Sequence, residues 1–424
     1  MNSAWSRYVT FALGIWLVAS SKMFNESPVM QTNDAISGIL IIIFSLRARN
    51  NKHTFSTWLL CLTGIWLQLA PLLFWAPSSA SYVNDTLVGA AVIAFSILLV
   101  KAPGEIDIGP EVPPGWSYNP SAWLQRIPVA FLAFFCFLAA RYMASYQLGH
   151  ITTIYDPLFD QGTFFVITSD ISKSFPISDA GLGSAAYLIE ALMALKGGSR
   201  RWHTMPWMVT LFGFLVVPVG LVSIILIMLQ PLVVGHWCFW CLLTALFMLC
   251  MIALTIDEVA ASIQFLSDAV KSGKPFWQTF WKGSASKGTS DQRSLPLDAP
   301  CHKLLSAMRW GVTTPWNLLL STLVGIWLMF SPGFIQLADP ISIEDHILGA
   351  LATAISVIAM AEPIRALRYL NILFGLCLAI SPWVFQDASL NYGDNLICGA
   401  LLVALSVPRG KVVEKYGKLD KFII

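Results

Sequence analysis

Charge is what this chain has least of. Asp, Glu, Lys and Arg make up 12% of its 424 residues, about half the share of a soluble domain. The balance is close to neutral, at +2, so the basic stripe that nucleic acid requires is missing and no nucleic-acid partner is expected. The first apolar run has no small-residue cleavage site and reads as a span, not as a cleavable signal. Cysteine is absent from the whole stretch 144–177. Histidine is scarce as well, with 6 in the chain.

What the chain has in excess is apolar sequence: 56% of residues are hydrophobic. Apolar runs recur from end to end, so the fold class expected is an all-α integral membrane protein. Twelve spans are expected, each about 17–25 residues long, as a bilayer of about 30 Å demands. They lie near 5–21, 34–46 (extended by flanking residues), 56–75, 84–100, 122–143, 178–196, 206–229, 236–256, 313–331, 345–361, 367–383 and 393–407. Placing the N-terminus in the cytoplasm and alternating puts all but Lys22, Arg141 and Lys173 of the 26 Lys and Arg residues on the cytoplasmic side. The cytoplasmic set includes Arg49, Lys52 and Lys101. That asymmetry is the signature of orientation; both termini are then cytoplasmic.

The ends of the chain repeat. GIWLVASSKMF at 14, GIWLQLAPLLF at 64, GIWLMFSPGFI at 325 and GLCLAISPWVF at 375 share one frame. A polar pair follows each: Asn33-Asp34, Asn84-Asp85, Glu344-Asp345 and Asp394-Asn395. Four residues after the pair stands a glycine (Gly38, Gly89, Gly349, Gly399), 24 or 25 residues from the first glycine of its copy. Each copy reads as a helical hairpin. Its proline is expected to stop the first helix, its Asn or Asp to cap the second, and its glycines to let the two helices approach closely.

The Ser381-Pro382-Trp383 of the fourth copy, with the same frame in the others, resembles the SPW repeat family over about 1–103 and 313–408. The resemblance implies membrane scaffolding. Two linkers are expected: 104–120, rich in Pro and Gly, and 259–312, whose WKGSASKGTSDQRS reads as a mobile cytoplasmic loop. Residues 313–424 then hold two hairpins and a basic tail.

The middle, 121–258, has four spans with a long outer loop, and GHWCFWCLLT at 235–244 sets Cys238 and Cys241 three apart at the outer end of the last span. A metal site would need about four ligands, and near the pair only His236 offers a third, so no metal is expected. A structural disulfide there closes a very short loop and gains little entropy. A redox pair is the third option, since a thiol at a helix N-terminus is stabilised as the thiolate nucleophile.

The order of spans and the stretches VITSDISKSFPISDAGLGSAAYLIEAL at 166–192 and GHWCFWCLLTA at 235–245 resemble the four-helix core of the vitamin K epoxide reductase family. The resemblance implies a membrane thiol oxidoreductase that passes electrons from a Cys-x-x-Cys to a quinone, ubiquinone or menaquinone. It assigns Cys238 and Cys241 as catalytic, Cys241 on the quinone side and Cys238 exchanging with partners. His236 is a proton acceptor or a surface anchor. Asp179, Tyr187, Trp240 and Thr244 are quinone-binding candidates. Against each stands a plainer role: a helix cap for Asp179, packing for Tyr187, an interfacial belt for Trp237 and Trp240. Glu190, inside the sixth span, is a functional carboxylate or snorkels to the interface beside Lys196.

The chain departs from the family in one respect: Thr163 stands where one cysteine of an outer-loop shuttle pair belongs. A separate extracytoplasmic thioredoxin-like protein or a small thiol is then the expected partner, besides quinone and lipid, with the cysteines facing the exterior of a bacterial inner membrane. The alternative is an inactive membrane scaffold or a transporter-like repeat protein holding a structural disulfide.

Overall fold

The structure, a computed structural model, describes residues 4–24, 26–48, 54–99, 109–335, 337, 339–385 and 393–423. The start of the first linker, 104–108, and the basic residues Arg49, Lys52 and Lys101 lie outside the described residues. The protein is helical, with isolated β-bridges and no strand among the described residues. It is an all-α integral membrane protein. Among the described residues, eight helices are long and apolar enough to cross a membrane.

The chain divides into two compact units, Met1–Ile106 with Ala133–Lys196, and Asp107–Leu132 with Gly197–Ile424. The first unit holds α1 (Ala4–Ser20), α2 (Pro28–Arg47), α3 (Thr54–Leu73), α4 (Ser79–Leu99), most of α5 (Trp123–Gln147), the short α6 (Gly162–Ile167) and α7 (Asp170–Lys173), and α8 (Asp179–Leu195). The second begins with α9 (Arg201–Thr204), α10 (Pro206–Leu229) and the 33-residue α11 (Phe239–Lys271). It continues with α12 (Phe276–Lys282), α13 (Cys301–Ala307), α14 (Trp316–Ile335), α15 (Ile341–Ile358), α16 (Leu370–Phe385) and α17 (Gly393–Ser406).

Each unit contains one pair of repeat hairpins, and the two pairs are built alike. In the first, α1 packs on α2 and α4, and α3 on α4 and α2; in the second, α14 packs on α15 and α17, and α16 on α17 and α15. Within every hairpin the two repeat glycines face each other. A methyl group on Gly14 would sit 2.9 Å from the Gly38 carbonyl oxygen, and one on Gly64 2.8 Å from that of Gly89. The same contact is 2.8 Å for Gly325 on Gly349 and 2.5 Å for Gly375 on Gly399. Lipid offers no hydrophobic drive for helix association, so such backbone proximity, with its dispersion contacts, is what joins the helices. Outward-facing Ile15, Leu62, Leu323 and Leu373 are exposed, as lipid-facing positions are.

A second device joins hairpin to hairpin. The indole N–H of Trp16 donates to Asn84 Oδ1 at 2.8 Å, and that of Trp66 donates back to Asn33 Oδ1 at 2.7 Å. In the second pair Trp327 donates to Asp394 at 2.9 Å. The fourth copy has Cys377 at the tryptophan position, so the reciprocal bond has no donor there.

Three expectations are corrected. The polar pairs do not cap the second helices of the first two hairpins. Ser27 caps α2 by accepting from the Met30 N–H at 3.3 Å, with Pro28 next to it, and Ser78 accepts from the Ser81 N–H at 3.2 Å. The helices therefore start about five residues earlier, and Asp34 and Asp85 are buried in the helix pair. In the third hairpin Glu344 and Asp345 likewise lie inside α15, which starts at Ile341.

Nor do Pro71, Pro332 and Pro382 end their helices at once. Each lies inside the last turn, so its missing N–H takes the donor from a single carbonyl one turn back, and Ala76 and Leu337 donate to the Pro71 and Pro332 carbonyls.

The second linker is docked, not mobile. Its first part extends α11 to Lys271, and Thr289 bridges to Val112. Arg293 pairs with Glu414 at 2.6 Å. The buried rings of Trp116, Tyr118, Trp202 and Tyr416 form one core with Phe265 of α11. Burial, with Asp257 beside it, pushes the Tyr118 hydroxyl well above its ordinary value, so it stays protonated and donates to Asp257 Oδ2 at 2.6 Å.

The glycine contact makes a direct prediction. Gly375→Ala pushes a methyl into the Gly399 carbonyl and should destabilise the protein by about 1–3 kcal/mol, as overpacking does. Gly333→Ala, on α14 with nothing within 4 Å, should leave stability unchanged. Denaturation of the two variants in the same detergent measures the difference.

Candidate redox site

α10 is apolar throughout and ends at a Gln-Pro step. There the chain widens into one π-helical turn, Gln230–Val234, and leaves it through Gly235 at φ 73°. The left-handed conformation suits glycine, and it turns the backbone so that His236, Trp237 and Cys238 lead into α11. Cys238 is the N-cap of that helix: its Sγ accepts from the Cys241 N–H at 3.1 Å. The two sulfurs stand 2.18 Å apart, with Cα atoms 5.3 Å apart, at disulfide distance. The sequence expectation that Cys238 opens a helix and Cys241 lies one turn further in is what the backbone does. At such a position the free helix N–H groups and the dipole favour a thiolate.

The surroundings were less legible. Gln230 is buried, and its Oε1 accepts the Cys238 N–H at 3.0 Å, so it fixes the backbone of the first cysteine across the π turn. The signal available was a lone Gln-Pro interrupting an apolar run; π turns of this kind gather at functional sites. Trp237 is held by aromatic neighbours, 4.7 Å from the ring of Phe330 and 5.8 Å from that of His346, so it packs on the second repeat pair. Trp240 is half-buried with its ring 5.2 Å from Phe239. Thr244 is buried and its hydroxyl donates to the Cys241 carbonyl at 3.0 Å. His236 is exposed just before the cap.

Cys238 has 0% of its surface exposed, whereas Cys241 is partly exposed. Cys241 packs against a cluster of Ile227, Ala245, Met329 and Ala350. Its surroundings are apolar, which suits a quinone on that side.

Asp179 and Tyr187 belong to the first unit, the other four candidates and His236 to the second. Asp179 opens α8, and its Oδ1 accepts from Gln147 Nε2 at 2.6 Å and Ser172 Oγ at 2.8 Å. The neighbouring Ser178 caps the helix through the Gly181 N–H at 2.9 Å. Asp179 thus ties the outer loop to the start of α8, a role nearer to the cap than to a free ligand. Tyr187 is buried on α8. Glu190, one turn on, is fully buried and neither of its carboxylate oxygens has a hydrogen-bond partner, so it does not snorkel to the interface.

At the shuttle position, Thr163 is buried. Its hydroxyl donates to Asp156 Oδ2 at 2.5 Å and its N–H to the same atom at 3.0 Å. Asp156 Oδ1 also accepts from the N–H groups of Leu158 and Phe159. This loop is closed by a carboxylate knot where a cysteine pair was sought. Among the described residues, Cys61, Cys136, Cys250, Cys301, Cys377 and Cys398 form no disulfide.

Comparison with known proteins agrees with this arrangement. Residues 127–256 match the model of the vitamin K epoxide reductase family. Residues 4–99 and 315–408 match the SPW repeat domain. No curated protein and no solved structure matches the chain at a significant level. A segment that matches the vitamin K epoxide reductase family is therefore set between two segments that match the SPW repeat domain.

Proposed function

We propose that the protein is a membrane thiol oxidoreductase that couples thiol–disulfide exchange at Cys238 and Cys241 to reduction of a membrane quinone. The observation that carries this reading is the pair itself: two cysteines at disulfide distance, one capping a helix, inside a segment of the vitamin K epoxide reductase family.

The chemistry balances as follows. The reduced pair gives up two electrons and two protons and closes its disulfide. A quinone beside Cys241 supplies the acceptor, taking up both electrons and both protons to become the quinol. An external dithiol then attacks the disulfide, leaves as its own disulfide and restores the two thiols. Cys241, partly exposed in apolar surroundings, is the quinone-side thiol; Trp240 and Thr244 flank it on the same helix. Cys238 receives the partner, and His236 accepts its proton as the thiolate forms. Asp179 and Tyr187, in the other unit, stay quinone-binding candidates on the family resemblance alone.

The dithiol comes from outside the chain, from a thioredoxin-like protein or a small thiol, because the loop position next to Asp156 is Thr163. The twelve-span topology, with both termini cytoplasmic and the cysteines on the outer face of a bacterial inner membrane, belongs to the same proposal. It adds α1, α4, α8 and α17 to the eight helices that are long and apolar enough to span. Residues 121–258 would then be the redox core and 1–103 and 313–408 its flanks.

One observation favours a second reading. Cys238 is completely buried, which suits a structural disulfide in a membrane scaffold that no longer turns over.

Purified protein supplied with a dithiol and ubiquinone or menaquinone separates the two. Quinol formation that Cys238→Ala and Cys241→Ala each abolish establishes the enzyme. No turnover with either quinone, while both thiols react with an alkylating agent after reduction, establishes the scaffold. Gln230→Ala adds a finer check on the enzyme. It leaves the Cys238 N–H without its acceptor, a cost of about 1–3 kcal/mol, and should slow turnover roughly tenfold or more at unchanged helix content by circular dichroism.

A further inference from the structure

The first repeat pair buries three carboxylates together. Glu26 lies in the turn between α1 and α2, Asp34 in α2 and Asp85 in α4. All three are buried, Asp34 and Asp85 completely. One atom from each lies within 4.8 Å of the others. That is about the distance two oxygens subtend across an ion that each holds at about 2.4 Å.

Each carboxylate has one oxygen engaged. Ser81 Oγ donates to Glu26 Oε1 at 3.0 Å, Asn33 Nδ2 to Asp34 Oδ1 at 3.0 Å, and Asn84 Nδ2 to Asp85 Oδ1 at 3.3 Å. The second oxygens, Glu26 Oε2, Asp34 Oδ2 and Asp85 Oδ2, are closed off from solvent and have no donor outside the cluster; Asp34 lies within hydrogen-bonding reach of both Glu26 and Asp85. None of the three acids forms an ion pair among the described residues. Charge buried in this way is costly unless something neutralises it.

The second repeat pair provides the comparison within the same chain. Asp345 stands where the first pair has Asp34, and Asn395 where it has Asp85. There the amide answers the acid directly: Asn395 Nδ2 donates to Asp345 Oδ1 at 2.7 Å. An acid–amide contact closes one pair of hairpins, and an acid–acid–acid contact closes the other. The second pair also carries three acids at this end, Glu344, Asp345 and Asp394, but an amide stands at the Asp85 position.

We propose that Glu26, Asp34 and Asp85 bind one calcium-class divalent cation, which ties the α1–α2 turn to α4. An all-oxygen, anionic donor set selects a hard cation over zinc or copper. Three carboxylates supply up to six oxygens, within the coordination range of calcium, and magnesium would demand a tighter octahedron. The neighbouring Asn33 and Asn84 are already committed to Trp66 and Trp16, so they orient the site and leave the acids to ligate.

The test uses the full-length protein in detergent, stripped with a chelator and dialysed against radioactive calcium. The expected result is one saturable site per chain that Asp85→Asn abolishes and Asp394→Asn leaves intact. Asp85→Asn reproduces the Asn395 contact of the second pair, so it should fold; if it does not, Glu26→Gln carries the same comparison. A chelator should lower the thermal midpoint of the unsubstituted protein and not that of Asp85→Asn. The proposal is overturned by the absence of saturable binding, or by equal binding in Asp85→Asn. It is also overturned if the infrared band of protonated carboxylic acids persists in saturating calcium, which would assign the cluster to shared protons.

Discussion

The close approach of backbone to backbone at the paired glycines is the constraint on which the rest of the repeat structure depends. A carbonyl oxygen of one helix rests where any other residue would carry its first side-chain carbon. In lipid this contact does the work that burial of apolar surface does in water. It sets the spacing of each hairpin, and that spacing decides what stands opposite what. Tryptophans then reach across to the next hairpin, and the acids at the turn end are forced into one another's company.

Within that shared frame the two repeat pairs have diverged at the polar pairs and at one tryptophan. Asn395 for Asp85 turns a repulsive contact into a hydrogen bond, and Cys377 for Trp16 or Trp66 removes one of the cross-hairpin bonds. The first pair is thus more tightly bonded between hairpins; the second packs Ala354 and Val357 of α15 onto Ile224 of α10 and Leu249 of α11. Each pair therefore packs on part of the 127–256 segment within its own unit, α8 in the first and α10 and α11 in the second.

What the sequence disclosed was what depends on neighbours along the chain. Apolar runs, the glycine spacing and a Cys-x-x-Cys at the head of a helix are local facts, and all three reappear in the structure. Asn33-Asp34 and Asn84-Asp85 look like caps, while the plainer helix-start signals, Ser27 before Pro28 and Ser78, lie six residues upstream. Nothing local tells that Glu26 and Asp85, 59 positions apart, meet. Nor does it tell that the polar 284–300 stretch lies down beside Val112 and that Glu362 accepts the backbone N–H groups of Val413 and Glu414. Gln230 is a middle case: its Gln-Pro step was visible, but its bond to Cys238 depends on a π turn that no residue pattern announces.

The helix that Cys238 caps has no proline or glycine from Phe239 to Lys271, so it has no built-in hinge. At about 1.5 Å per residue it extends roughly 50 Å, well past a hydrocarbon layer of about 30 Å. Its far half is gripped: Asp257 by Tyr118, Glu258 by Arg201 at 2.5 Å, and Gln264 by Trp116 at 2.9 Å. A rod clamped at one end and bearing a thiol pair at the other behaves as a single stiff lever. With no proline or glycine between them, a tilt imposed at Cys238 meets no kink site before the aromatic collar around Trp116 and Tyr416.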